Sequence, residues 1–147
     1  MAGASEGPSE LEAELGEVAG IEIVLCGVEL TVDTVVIHLR ARQSAVTEAL
    51  DAAHRTALQA WEHELGAAER RGERPPDPPA QPGSVLNAIA LRLQDDAKTS
   101  YRWLGSQAGG TGSEWDAIWR FGPQPPPEAT RLSVTIDGTT AGYSLQL

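Results

Sequence analysis

Residues 44–71, SAVTEALDAAHRTALQAWEHELGAAERR, contain no proline and no β-branched run, and PPDPPAQPG follows at 75–83. The first stretch is rich in Ala, Glu, Leu, Arg and Gln, which lose little rotamer freedom in a helix. The second has few amide donors and fixed φ angles, which exclude helix and central strand and favour polyproline II. The pair therefore predicts one helical insertion at 44–72 and one Pro-rich connector at 75–83 that returns the chain. Ser44 suits the N-cap, Glu48 the positive end of the helix dipole, and Arg70, Arg71 and Gly72 the finish. Val46, Leu50, Ala53, Ala57, Trp61, Leu65 and Ala68 recur at steps of three or four, which predicts a single apolar face. A helix of about 27 residues is about 40 Å long at 1.5 Å per residue, as long as a small domain. It is expected to lie across one sheet or along its edge.

On both sides of this insertion the hydrophobic period is two. Ile21, Ile23 and Leu25 alternate on odd positions and Val28, Leu30 and Val32 on even ones, so a bulge or turn at Cys26-Gly27 must keep both halves facing the core. In VVIHLRAR, Val35, Ile37, Leu39 and Ala41 face one way and His38, Arg40 and Arg42 the other. After the connector come Ile89, Leu91 and Leu93; Tyr101 and Trp103; Trp115, Ala117, Trp119 and Phe121; Leu132, Val134 and Ile136; and Tyr143, Leu145 and Leu147. Turn formers separate these runs. About seven short strands with turns every 8 to 12 residues predict a mainly β fold, an antiparallel immunoglobulin-like sandwich carrying one long inserted α-helix. Residues 20–147 then form a single domain. Residues 1–19 read as an acidic tail, in which Ser9 and Glu12 make a capping-box pattern ahead of Leu11, Leu15 and Val18 and leave a short helix as an alternative.

The 147 residues suit one domain, and a net charge of −10 without a basic stripe argues against nucleic acid and anionic membrane surfaces as partners. One cysteine, Cys26, forms no internal disulfide. The first twenty residues lack the pattern of an export signal, and no apolar run approaches the length of a membrane span. A cytoplasmic protein is expected.

The glycine-rich stretch GSQAGGTGSEW at 105–115 has the G-x-x-x-x-G spacing of a phosphate cradle, but Thr111-Gly112 stand where that motif needs Lys then Ser or Thr. A strand, not a helix, is expected to follow it. The stretch reads instead as a flexible connection, with recognition as the alternative because Trp103 and Trp115 bracket it. The aromatic set fits either a core or a stacking platform. His54 and His63 fall on opposite sides of the helix and His38 faces out from a strand, so no metal or other cofactor is expected. Glu114 and Asp116 share a strand face and Asp95-Asp96 sit in a turn, neither spanning a cleft as acid catalysis requires. Cys26 lacks a cation to activate it.

Residues 91–138 carry a Leu-x-Asp-Asp-x-x-x-x-Tyr turn, a Gly-Gly-x-Gly-x-Glu-Trp loop, a Trp-x-Phe strand at Trp119, Arg120 and Phe121, and a PPPEATRL return. This third of the chain resembles uncharacterised bacterial proteins. The resemblance implies an immunoglobulin-like sandwich of unknown role, similar to β domains attached to some bacterial membrane-bound regulators, and brings no catalytic residues with it. The expectation is a non-enzymatic protein-binding or assembly module that uses a protein partner or self-association. The alternative is carbohydrate binding through loop 105–114 and its tryptophans. Candidate contact residues are Trp61, Trp103, Gly109, Gly110, Gly112 and Trp115.

Overall fold

The computed structural model describes residues 12–111, 115–137 and 142–147. Among the described residues eight strands form two antiparallel sheets that pack as a β-sandwich. They are β1 (Ala13–Val18), β2 (Ile21–Leu30), β3 (Val35–Ala41), β4 (Leu91–Asp95), β5 (Arg102–Gly109), β6 (Asp116–Gly122), β7 (Arg131–Ile136) and β8 (Gly142–Gln146). The wide sheet runs β1-β2-β3-β6-β5 and the narrow one β4-β7-β8. Helix α1 (Ala45–Arg71) enters after β3, and a 3-10 helix (Pro82–Ala88) closes the connector.

The alternation read from the sequence builds the core directly. Ile21, Ile23, Leu25, Val35, Ile37, Leu39, Ala117, Trp119 and Phe121 from the wide sheet meet Leu93, Leu132, Val134 and Ile136 from the narrow one, and all are buried. The expected phase slip in β2 is a bulge: the register with β3 shifts between Leu25 and Gly27, so Val28 returns to the face that Leu25 left.

The first strand corrects the reading of 1–19 as a tail with an optional helix. Residues 13–18 pair antiparallel with β2, and Leu15 is fully buried. Glycine and glutamate are poor strand formers, and here the ladder offered by β2 decides the conformation. Gly16 absorbs a register shift at φ 142°. The domain therefore includes β1, and residues 1–11, with the Ser9 cap, lie outside the described residues.

Helix α1 begins and ends where expected. Ser44 caps it, accepting from Thr47 N while Thr47 Oγ1 accepts from Ser44 N, and Gly72 takes the left-handed C-cap. Its inward face, however, is Thr47, Asp51, His54, Leu58, Trp61, Leu65 and Ala68, each buried or half-buried, whereas Val46, Leu50, Ala53 and Ala57 are exposed. Nor does the helix lie across a sheet. Its first turns close one end of the sandwich, where Val46 packs on Gly20 of the β1–β2 turn and Asp51 bonds Trp115 at the start of β6. Farther along, the connector itself covers the helix, and Trp61 Nε1 donates to the Pro76 carbonyl at 3.0 Å. The stripe predicted from spacing thus divides between a covered edge and an open one.

Candidate functional site

The glycine stretch is mostly not a loop. Gly105 to Gly109 lie in β5, paired residue by residue with Arg120 to Asp116 of β6. Gly110 then spends both backbone groups: its N–H donates to Gln81 Oε1 at 2.8 Å and its carbonyl accepts from Gly83 N at 3.1 Å. A Cβ on Gly109 would come within 2.6 Å of the same Gln81 oxygen. The Gly110 amide, one of those a cradle would offer, is therefore taken by the connector. Of the recognition residues, Gly112 lies outside the described residues, as does Glu114. Gly109 and Gly110 are half-buried against Gln81 and line a shallow hollow of about 330 Å³, Trp61 is half-buried beneath Pro76, and Trp115 is 1% exposed. Trp115 belongs to the core because alternation from Ala117 puts it on the inner face.

Trp103 stands apart at 57% exposed. It faces the same side as Phe121, but β5 is the outer strand of the wide sheet and the 3-10 helix covers only its far end. One side of the indole meets Trp119, ring centroids 6.2 Å apart and tilted by 53°, and the other meets solvent. Trp119 stacks in turn on Phe121 at 6.2 Å. Among the described residues, Trp119 Nε1 is a buried side-chain donor with no hydrogen-bond partner. The register of β5 shifts between Trp103 and Gly105, which leaves Leu104 as the extra residue, 49% exposed.

Leu104 leans over Gly122 beside the Asp33 carbonyl and forms one wall of an open groove of about 680 Å³. Asp33 and Thr34 of the β2–β3 turn, Tyr101 and Arg102 before and at the start of β5, and Pro123 after β6 complete it. The groove lies at the end of the sandwich away from α1, since Val35, next to the β2–β3 turn, pairs with Phe121 and Arg102 with Gly122. The Gln124 side-chain amide lies against the Thr31 and Val32 carbonyls, to which its nitrogen is the atom able to donate. Its volume is within the range of small-molecule and side-chain sites.

One groove wall is held by the double-aspartate turn. Asp95 Oδ1 accepts from Ala97 N at 2.9 Å and Thr99 N at 3.0 Å, and the Tyr101 hydroxyl donates to Oδ2 at 2.6 Å. Partial burial pushes the Asp95 carboxyl up, but bonds from Thr99, Tyr101 and Ala97 outweigh it and hold the group below its ordinary range. Burial, with the Asp95 bond, raises the Tyr101 hydroxyl. Asp96 accepts from Thr130 through both side chain and backbone and from Arg131 N, and these bonds lower it too. A carboxyl lowered in the folded state contributes stability above its unfolded pKa, about 3.9, and loses that contribution as pH falls through the folded value. Because solvent screens the group, Asp95→Ala is expected to cost about 1 kcal/mol at pH 7 in urea unfolding. The cost should shrink as pH drops below about 4. An equal cost at pH 7 and pH 3 would show that the charge is idle.

His38 Nε2 lies 2.9 Å from Glu29 Oε1 on the outer face of the wide sheet, and His54 and His63 are on α1. Burial pushes the Cys26 thiol up, Asp116 and Glu12 add to this, and Arg40 partly offsets it. Among the described residues no three His, Cys, Asp or Glu gather closely enough to hold a metal ion, and no helix is long and apolar enough to cross a membrane. Sequence reasoning missed Asp33, Arg102, Leu104 and Pro123 as site residues. One signal was present, since Trp103 and Leu104 are adjacent and a regular strand sends only one of two neighbours inward. Comparison of the chain with protein-family models, curated proteins and solved structures finds no match.

Proposed function

We propose that the protein is a non-enzymatic binding module that docks a protein partner at the end of the sandwich where Trp103 and Leu104 are exposed. The exposure of Trp103 carries this reading. An indole is the side chain most often found at the energetic centre of interfaces, and here it stands beside a groove instead of inside the core. The bulge at Trp103 to Gly105 disfavours addition of a strand along the free edge, so the partner is expected to seat side chains. Leu104 and Pro123 suit an apolar anchor, and Arg102, which makes no ion pair among the described residues, suits a neighbouring carboxylate. A cytoplasmic setting accords with the half-buried thiol of Cys26. The resemblance to uncharacterised bacterial proteins, read from residues 91–138, includes Tyr101, Arg102 and Pro123 of this end.

A second reading keeps carbohydrate as the ligand, stacked on Trp103 alone because Trp115 is buried. One set of measurements separates the two. Wild type, Trp103→Ala and Leu104→Asp are used to capture partners from native lysate, and a captured protein is purified and titrated back. Both variants should keep the wild-type melting temperature, and Trp103→Ala should bind about 30-fold more weakly or worse. Tryptophan fluorescence that responds to a glycan panel, without protein capture, would favour the sugar. A monomer by light scattering that retains no partner and answers to no glycan would sink both readings.

A further inference from the structure

The double-aspartate turn builds a second hollow that shares no lining residue with the groove. Its volume is about 500 Å³, and Gln94, Lys98, Thr99, Arg131 and Ser133 line it together with Asp95 and Asp96. Both aspartates are engaged inside the fold: each of their four carboxylate oxygens accepts from a turn amide, from the Tyr101 hydroxyl, or from Thr130 and Arg131. The cations beside them have no such partner. Lys98 and Arg131, like Arg55, Arg70, Arg74, Arg102 and Arg120, make no ion pair among the described residues, whereas Arg40, Arg42, Arg71 and Arg92 do.

Lys98 is also held in an unusual conformation. Asp95 Oδ1 binds the amides on both sides of it, Ala97 N and Thr99 N, and Lys98 lies between them at φ 60°. Asparagine and glycine enter that region readily, and lysine does so only under constraint. Asp96 fixes the other cation by clamping the amides of Thr130 and Arg131 where β7 begins.

We propose that this hollow binds an oxyanion group, phosphate or carboxylate, carried on a small polar molecule and held between Lys98 and Arg131. Lys98 and Arg131 supply cationic donors, offset in charge by the ionised Asp95 and Asp96, whose oxygens are taken up by bonds within the fold, and Gln94, Thr99 and Ser133 supply neutral donors around them. The hollow is larger than a bare ion needs and is within the range of small-molecule sites. A net charge of −10 opposes approach of any anion from a distance. That field is screened within about 8 Å at physiological salt, so binding is expected at roughly millimolar ligand.

The test is the melting temperature of the full chain in inorganic phosphate, in succinate, and in sodium chloride of matched ionic strength. Wild type should gain stability from phosphate or succinate beyond chloride, and the anion that acts identifies the source of the group. Lys98→Asn should melt higher than wild type in chloride, because asparagine relieves the left-handed φ, yet lose the response, its affinity falling about tenfold or more. Arg131→Gln should lose the response without gaining stability. The proposal is overturned if neither anion stabilises wild type, if both variants respond as wild type does, or if Lys98→Asn melts lower than wild type in chloride.

Discussion

Trp115→Ala is expected to cost about 3–5 kcal/mol in urea unfolding, a large part of the roughly 5–15 kcal/mol that holds a domain together. Trp115 is among the largest fully buried side chains, and its removal leaves a cavity where β6 begins. A second loss adds to the first. The indole Nε1 donates to Asp51 Oδ1 at 3.2 Å, and Asp51 is only 5% exposed. Without the donor a buried carboxylate of α1 is left short of a partner, which costs a further 1.5–3 kcal/mol by order of magnitude. The two effects can be separated. Trp115→Phe keeps most of the ring and removes the donor, so about 1–3 kcal/mol is expected from it. Asp51→Ala in the Trp115→Phe background should then cost much less than in wild type, because the bond it breaks is already gone. Equal costs in the two backgrounds would mean that this bond does not anchor the helix to the sandwich.

That same bond marks where the sequence stops being legible. Alternation, turn residues and caps are local, and they account for most of the strands, for the bulge at Gly27 and for both ends of α1. The inward face of α1 is not local. It carries Thr47 and Asp51, polar residues that no apolar pattern selects, and the partner that makes Asp51 acceptable is 64 residues away. The exposed position of Leu50 follows from the same cause, because the end of the sandwich and the returning connector cover only one side of the helix. β1 was hidden for a related reason. Its Glu and Gly residues have little strand preference of their own, and only the free edge of β2 makes them a strand. The candidate site draws on the β2–β3 turn, β5 and the chain after β6, so spacing along the sequence could not assemble it. Trp103-Leu104 was its one visible trace.

Gly83→Ala and Gly66→Ala make the same chemical change and are expected to have opposite signs. A Cβ on Gly83 would lie 2.2 Å from the Gly109 carbonyl oxygen, 2.5 Å from its carbon and 3.0 Å from Gly110 N. All three are backbone atoms, so no rotamer change relieves the clash. The 3-10 helix must lift from β5, losing the Gly83 to Gly110 bond and loosening Ser106 from Asn87 and Leu86 from the core. Overpacking of this kind costs about 1–3 kcal/mol when side chains can yield, so a backbone clash should reach the top of that range or pass it. Gly66, by contrast, is in the interior of α1, where the nearest atom to an added Cβ is the flexible end of Arg70 at 3.6 Å. Alanine there should stabilise by about 0.5–1 kcal/mol through helix propensity. Urea unfolding of the two variants decides the point, and light scattering adds a second reading. The 3-10 helix and connector cover the far end of β5, so lifting them extends the free edge beyond the Trp103 end and invites pairing between chains. Gly83→Ala should therefore both unfold earlier and associate. A Gly83→Ala protein that unfolds with the wild-type midpoint and stays monomeric would show that β5 is not closed in this way, and that the confinement of its large exposed apolar side chains to Trp103 and Leu104 has another cause.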